Sequence, residues 1–246
     1  MAHPLSGADL ATLAAVFRAA GPGVRRGAAA GIWASALGRW PATALERALI
    51  SARLPEVGEM PPPVFILGHW RSGTTHLYNT MVQSGAWGFV PHVATGLPWD
   101  LFGLARLTRP ILERQLPETR WIDNIPVTPE SPQEDEIAVA NMSPVSFYHA
   151  LYFPAKFDAF LDRGLFFEGL GAAEVAAWEA RFTYLMRKLA LHQGKPLLIK
   201  NPVHTARVAI LREMFPEAKF IHIHRNPFDV FLSMRNFYAR LLESSS

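Results

Sequence analysis

Cysteine is absent from all 246 residues. Its absence removes disulfide scaffolds, zinc–thiolate sites and cysteine nucleophiles together, and leaves the redox compartment undetermined. Charge is also scarce: Asp, Glu, Lys and Arg make up 18% of the chain, and no five like charges follow one another. A net charge of +3 and a pI near 9.4 suit an anionic ligand, but they fall far short of the Lys/Arg footprint of a nucleic-acid binder. No nucleic-acid partner is expected. Long apolar runs are missing too, because Arg18, Arg25, Arg26 and Arg39 interrupt the most apolar early stretch, so no transmembrane span is expected. The opening MAHPLSGADL carries Asp9 and lacks a basic start followed by an apolar core, which is unlike a secretory signal. The expected location is the cytoplasm.

What is present is apolar: half of the chain, enough to bury a sizeable core. Residues 1–59 read as a helical segment packed on that core, with two or three helices over residues 7 to 54. Gly21-Pro22-Gly23 and Trp40-Pro41 punctuate them, and Met60-Pro61-Pro62-Pro63 ends helical structure. The mixture of Ala, Leu, Trp33, Trp40 and arginines there also suits a membrane surface, although packing on the core is the expectation. Residues 60–246 read as an α/β domain. Val64 to Leu67 is a short run of the kind buried on both faces of a sheet, and a glycine-bearing turn and a helix follow it. The alternation returns with strands at Pro196 to Lys200 and Lys219 to His224 and helices at Thr205 to Phe215 and Phe228 to Leu242. Such alternation implies a parallel sheet between helical layers. A further helix over Glu174 to Leu191 carries the stripe Val175, Trp178, Phe182, Leu185 and Leu189.

The turn Gly68-His69-Trp70-Arg71-Ser72-Gly73-Thr74-Thr75 carries the first chemical signal. A helix start after a buried strand offers free backbone N–H groups and the positive end of the helix dipole, which together favour phosphate. Gly73 lets the backbone approach, the hydroxyls of Ser72, Thr74 and Thr75 add donors, and Arg71 supplies a planar charged fork. Gly68 and Gly73 have the separation of a nucleotide-triphosphate P-loop, but Thr74-Thr75 stands where that loop has Lys-Ser/Thr. Without that lysine and a magnesium-binding arrangement, a P-loop kinase or NTPase loses its main supports. A second anion site is expected downstream, where Arg225 ends a strand and Ser233 lies in the next helix. Asp229 is expected to cap or charge the first turn of that helix.

With these paired motifs the chain resembles the PAPS-dependent sulfotransferase family, in its bacterial and tyrosylprotein-type branch with an Arg-Ser-Gly-Thr-Thr loop, over roughly residues 60 to 240. The resemblance implies a P-loop-like three-layer α/β sandwich around a central parallel sheet. It implies 3′-phosphoadenosine 5′-phosphosulfate (PAPS) as co-substrate, with Arg71, Ser72, Gly73, Thr74 and Thr75 on the 5′-phosphosulfate and Arg225 and Ser233 on the 3′-phosphate. It also implies that Lys200, in Lys200-Asn201-Pro202, joins Arg71 as a cation for the leaving group. Relatives continue past the 3′-phosphate motif, some with a glycine-rich segment that closes over the adenosine, whereas here Ser244-Ser245-Ser246 follows soon after. The expected function is sulfuryl transfer to a hydroxyl or amine, and the alternative is a non-catalytic nucleotide-binding protein or truncated inactive homologue.

Sulfuryl transfer needs a base for the acceptor's proton. His92 follows the loop near the place of the catalytic glutamate in tyrosylprotein-type relatives, and histidine titrates near neutrality. The cluster Glu134-Asp135-Glu136 is the other candidate, since clustered carboxylates raise one another's pKa, though it equally suits a helix first turn. Both stay open. His204, His222 and His224 lack an evident arrangement for a metal, and none is expected. Residues 86 to 168 are rich in proline and aromatics (Trp87, Phe89, Trp99, Phe102, Trp121, Phe147, Tyr148, Tyr152, Phe153) and give weak periodicity. Their first part, 86 to 160, is the candidate pocket for a small-molecule, lipid or carbohydrate acceptor.

Overall fold

The computed structural model describes residues 3–21, 26–115 and 128–243. The expected break at Pro22-Gly23 and the aromatic Trp121 lie outside the described residues. Three parallel strands, β1 (Val64–Leu67), β2 (Leu198–Lys200) and β3 (Lys219–His222), lie in the order β2-β1-β3. Val64 stands opposite Leu198 on one side and Lys219 on the other, so the outer strands are in register at the central one. β1 is buried at every position, as an apolar strand flanked on both edges and covered on both faces must be.

Alternation along the strands divides the core into two faces. Phe65, Leu67 and Ile199 face the helix over Ala172–Gln193, through Trp178, Phe182, Leu185 and Leu189, and the helix over Val208–Met214, through Leu211 and the following Phe215. Val64, Ile66 and Leu198 face the helix over Thr74–Gln83, through Leu77, Tyr78 and Met81. The result is an α/β sandwich with helices on both sides of the sheet. In chain order the helices are α1 (Leu10–Ala20), α2 (Arg26–Ser51), α3 (Thr74–Gln83), α4 (His92–Gly96), α5 (Leu104–Gln115), α6 (Asp135–Ala140), α7 (Tyr148–Tyr152), α8 (Phe157–Leu161), α9 (Ala172–Gln193), α10 (Val208–Met214) and α11 (Pro227–Glu243).

Trp40-Pro41 does not end a helix, contrary to the sequence expectation, because α2 runs through Pro41 without interruption. Pro41 lies on the exposed side, where water can take up the carbonyl of Leu37 that the missing N–H would have bonded. Besides α5, the described part of the aromatic middle folds into α4, α6, α7 and α8, of five or six residues each and too brief to register as periodicity. The helix expected from Thr205 starts later, because Pro202 opens a 3₁₀ turn over Pro202–Ala206 that is capped by Asn201, whose side chain accepts from the Val203 N–H.

α1 and α2 close a small apolar cluster of Leu5, Leu13, Val16, Ile32 and Ala36. Polar ties join them to the rest of the chain. Arg39 and Thr43 both bond the buried Asp100, and Glu46 pairs with Lys188 of α9 at 2.7 Å. Lys188 is fully buried and also donates to the carbonyls of Pro98 and Trp99 at 2.9 and 2.7 Å. Burial holds its pKa below the ordinary value, with Glu46 acting in the opposite direction. Removing one partner of such a pair strands a buried charge, which costs about 3–5 kcal/mol.

Candidate functional site

The phosphate turn leaves β1 at Gly68, where φ is 142° and a Cβ would meet the Ile223 carbonyl oxygen at 2.4 Å. Only glycine fits there. Its N–H donates to Thr205 Oγ1 at 3.0 Å, which ties the turn to the segment after β2. Arg71 and Gly73 both take positive φ, 68° and 102°, and the Ser72 hydroxyl donates to the His69 carbonyl at 2.6 Å. Gly73 is the N-cap of α3 and brings no side chain to its first N–H groups. An uncapped helix start beside an arginine and the hydroxyls of Thr74 and Thr75 leaves N–H groups of the kind that favour an anion.

Arg71 turns toward α11, where its Nε donates to Ser233 Oγ at 3.0 Å and its guanidinium lies 5.8 Å from the Phe237 ring centroid. This contact joins one residue expected on the 5′-phosphosulfate to one expected on the 3′-phosphate, across 162 positions of sequence. Arg225 lies at the mouth of the same region, half exposed, 3.7 Å from Asp229 in an i,i+4 pair. Asp229 therefore faces Arg225, and Asn226 caps the first turn of α11 by accepting from the Phe228 N–H at 2.9 Å. A cavity of about 450 Å³ opens between the turn, the end of β3 and α11, lined by Ser72, His69, His224, Arg225, Val230 and Met234 among others.

Lys200 sits at the end of β2, nearly buried, with its Nζ 2.6 Å from Glu134 Oε1. The other carboxylate oxygen, Oε2, accepts from the Tyr148 hydroxyl at 3.1 Å. Burial, and next the Glu134 charge, push the Tyr148 phenol well above its ordinary pKa, so it remains a donor. The acidic cluster is therefore divided. Glu134 turns to Lys200, while Asp135 and Glu136 are fully buried beneath, at the start of α6. Asp135 lies 2.9 Å from His204 Nε2, and Glu136 takes Arg207 at 2.8 and 3.2 Å and the Phe147 N–H at 2.9 Å. Asn201, the neighbour of Lys200, reaches both carboxylates, so one buried network sets the strand end and the cluster together.

His92 opens α4, and its N–H donates to the Ser131 carbonyl at 2.9 Å, while the Gln133 N–H donates to Val90. The two base candidates thus stand on paired backbone segments. The direct bond to Lys200 comes from Glu134. His222 and His224 stand on the cavity wall with ring centroids 6.3 Å apart, whereas His204 is enclosed between the rings of Phe65 and Phe182.

Phe147, Tyr148 and Tyr152, from the stretch expected to form the acceptor pocket, continue a row that starts at Trp70 and runs away from the turn, and this link to Trp70 was missed by sequence reasoning. Trp70 lies 5.3 Å from Phe147, Phe147 5.8 Å from Tyr148, and Tyr148 6.0 Å from Tyr152 between ring centroids. Trp70 belongs to the phosphate turn and Tyr148 holds Glu134, so the row borders both halves of the site. The signal was partly available in the aromatic content of residues 147 to 153, but nothing in the sequence links them to Trp70.

Residues 62–246 match the model of the Sulfotransferase family. Relatives named omega-hydroxy-beta-dihydromenaquinone-9 sulfotransferase Stf3, from Mycobacterium bovis and Mycobacterium tuberculosis, are 30% identical over 217 residues, which is 84% of this chain and 52% of each relative. The chain spans about half the length of these curated relatives. Its fold is similar to the crystal structure of sulfotransferase STF1 from Mycobacterium tuberculosis H37Rv, with a TM-score of 0.51 at 18% identity over 87% of this chain and 60% of that one. Sulfotransferase STF9 from Mycobacterium avium aligns over 74% of this chain and 48% of its own at 20% identity, with a TM-score of 0.48.

Proposed function

Because the chain belongs to the sulfotransferase family, we propose that it transfers a sulfuryl group from 3′-phosphoadenosine 5′-phosphosulfate to a hydroxyl or amine of an apolar acceptor. The observation that carries this reading is the uncapped start of α3, set beside Arg71 and linked through it to Ser233 and the cavity that Arg225 borders. Two separated anion subsites suit a nucleotide with a 5′ and a 3′ charged group. The co-substrate supplies the activated sulfuryl group together with its phosphate leaving group.

The chain's own residues divide the remaining work. The N–H groups at the start of α3, with Ser72, Thr74 and Thr75, bind the 5′ end, and Arg225 and Ser233 bind the 3′-phosphate. Arg71 and Lys200 offset negative charge that grows on the leaving phosphate. Glu134 takes the proton of the acceptor, and Tyr148 fixes its orientation by donating to Oε2. In the free protein Lys200 is engaged by Glu134, so the charge for the leaving group and the base stand within one hydrogen bond of each other. His92, on the adjoining segment, is assigned to the wall of the site, because Glu134 has the direct link to Lys200.

The row Trp70, Phe147, Tyr148 and Tyr152 gives the acceptor side an apolar wall with one carboxylate at its edge, which favours a large apolar molecule with a single reacting group. The relatives named for a hydroxylated menaquinone point to the same class. Incubation with radiolabelled donor and a panel of prenyl alcohols, phenols and sugars tests the assignment. Label is expected in prenyl alcohols, with loss of transfer in Glu134→Gln. Transfer confined to sugars would contradict the acceptor class, and transfer undiminished in Glu134→Gln would contradict the base.

A further inference from the structure

The two edges of β1 end differently. On the β3 side the Leu67 carbonyl accepts from the Ile223 N–H at 3.0 Å, so the pairing continues past the end of β3. On the β2 side it does not. The Val64 N–H bonds the Leu197 carbonyl at 2.8 Å and Ile66 stands opposite Lys200, so at the strand period of two the Gly68 N–H would meet the carbonyl of Asn201. That carbonyl is already engaged, because it accepts from the His204 N–H at 3.1 Å inside the 3₁₀ turn that Pro202 opens. The Thr205 hydroxyl stands in for it and accepts from Gly68 at 3.0 Å. A side chain thus closes the last rung between β1 and the segment after β2, at the residue where the phosphate turn begins.

The chain on either side of Thr205 is held firmly. Val203 and His204 are fully buried and Arg207 nearly so. The Asn201 side chain accepts from the Val203 N–H at 3.0 Å, His204 Nε2 lies 2.9 Å from Asp135, and Arg207 donates to Glu136 at 2.8 and 3.2 Å. Thr205 itself is exposed, so its side chain fills no core position and its hydroxyl is the part that the fold uses. Gly68 is confined from the β3 side as well, where a Cβ would meet the Ile223 carbonyl oxygen. The first residue of the turn is therefore gripped between the continuation of β3 and the Thr205 hydroxyl. At a glycine with a φ of 142°, loss of that acceptor would leave an amide unpaired on the most permissive backbone of the turn.

We propose that Thr205 is a positioning residue for nucleotide binding: by accepting from Gly68 it sets the donors of the phosphate turn against the charged 5′ group, a role that rests on the nucleotide reading above. Arg225 and Ser233, assigned to the 3′-phosphate, follow β3 on the other side of β1, so the hydroxyl bears on the 5′ group alone.

Calorimetric titration with adenosine 3′,5′-bisphosphate and with adenosine 3′-monophosphate separates the two subsites. Thr205→Val keeps the shape of the side chain and removes the acceptor. It is expected to weaken the bisphosphate about two- to tenfold, the worth of one hydrogen bond, and to leave the 3′-monophosphate and the circular dichroism spectrum unchanged. Thr205→Ser returns the hydroxyl and should restore the affinity. Bisphosphate affinity unchanged in Thr205→Val would overturn the proposal, as would a Thr205→Ser variant as weak as Thr205→Val. Equal weakening of both nucleotides would also overturn it, since the hydroxyl would then support the fold at large and not the 5′ subsite. A wild-type chain that binds neither nucleotide, or both equally, would overturn the nucleotide reading itself and the role of Thr205 with it, a result visible before any variant is made.

Discussion

Lys200 Nζ lies 2.6 Å from Glu134 Oε1, and the opposite oxygen of that carboxylate is held by Tyr148. If Glu134 is the base, Glu134→Gln keeps the size and the contact to Lys200 but removes the proton acceptor. Transfer is expected to fall by about 10²–10⁴-fold while nucleotide affinity is kept. Tyr148→Phe should lower kcat by a smaller factor, since it frees the carboxylate to rotate. Single-turnover assays beside calorimetric titrations check both.

The joint from Arg71 to Ser233 leads to a second expectation. Ser233→Ala removes one hydrogen bond and is expected to weaken adenosine 3′,5′-bisphosphate about two- to tenfold. Arg71→Ala and Arg225→Ala each remove a charge and should cost about ten- to a hundredfold. Calorimetry on the three variants gives the order. Ser233→Ala weaker than either arginine variant would contradict the division of roles.

Gly68 is held to glycine by the backbone itself. Gly68→Ala places a methyl against the Ile223 carbonyl at positive φ, at a cost of about 1–3 kcal/mol or more, and should disturb the turn that binds phosphate. Gly58→Ala, where nothing lies within 4 Å of the added carbon, is the control. Thermal melting should separate the two, and bisphosphate affinity should fall only in the first.

His149 sets a pH dependence. It is buried with its ring nitrogens 3.2 and 3.0 Å from the carbonyls of Pro144 and Ala140, and burial holds its pKa below the ordinary 6.5. Below 6.5 the unfolded chain therefore takes up a proton that the folded chain resists, so stability is full above that value and falls as pH drops through it. The slope from one such histidine reaches about 1.4 kcal/mol per pH unit. Burial lowers His192 in the same direction. Chemical denaturation between neutral and mildly acidic pH should show the decline, and His149→Gln should flatten it.

The fold and the site differed in how far the sequence disclosed them. β1 and the turn after it were legible because a strand buried on both faces has to be apolar throughout, and a glycine at Gly68 or Gly73 announces backbone that other residues avoid. α9 was legible for the same kind of reason: twenty-two residues give its buried stripe room to repeat. The passage of α2 through Pro41 was not, because it depends on which side of the helix faces water. Nor was the division of Glu134, Asp135 and Glu136, since three adjacent carboxylates look alike until Lys200, His204 and Arg207 arrive from elsewhere in the chain. The bond from Arg71 to Ser233 joins residues whose motifs were each readable but whose contact is a product of the sheet order.

Thermal stability of the purified chain, followed during titration with adenosine 3′,5′-bisphosphate, with AMP and with ATP plus Mg²⁺, tests the central claim most directly. The account predicts selective stabilisation by the bisphosphate that is diminished in Arg71→Ala and Arg225→Ala. Equal stabilisation by AMP, or a preference for ATP with Mg²⁺, would contradict it.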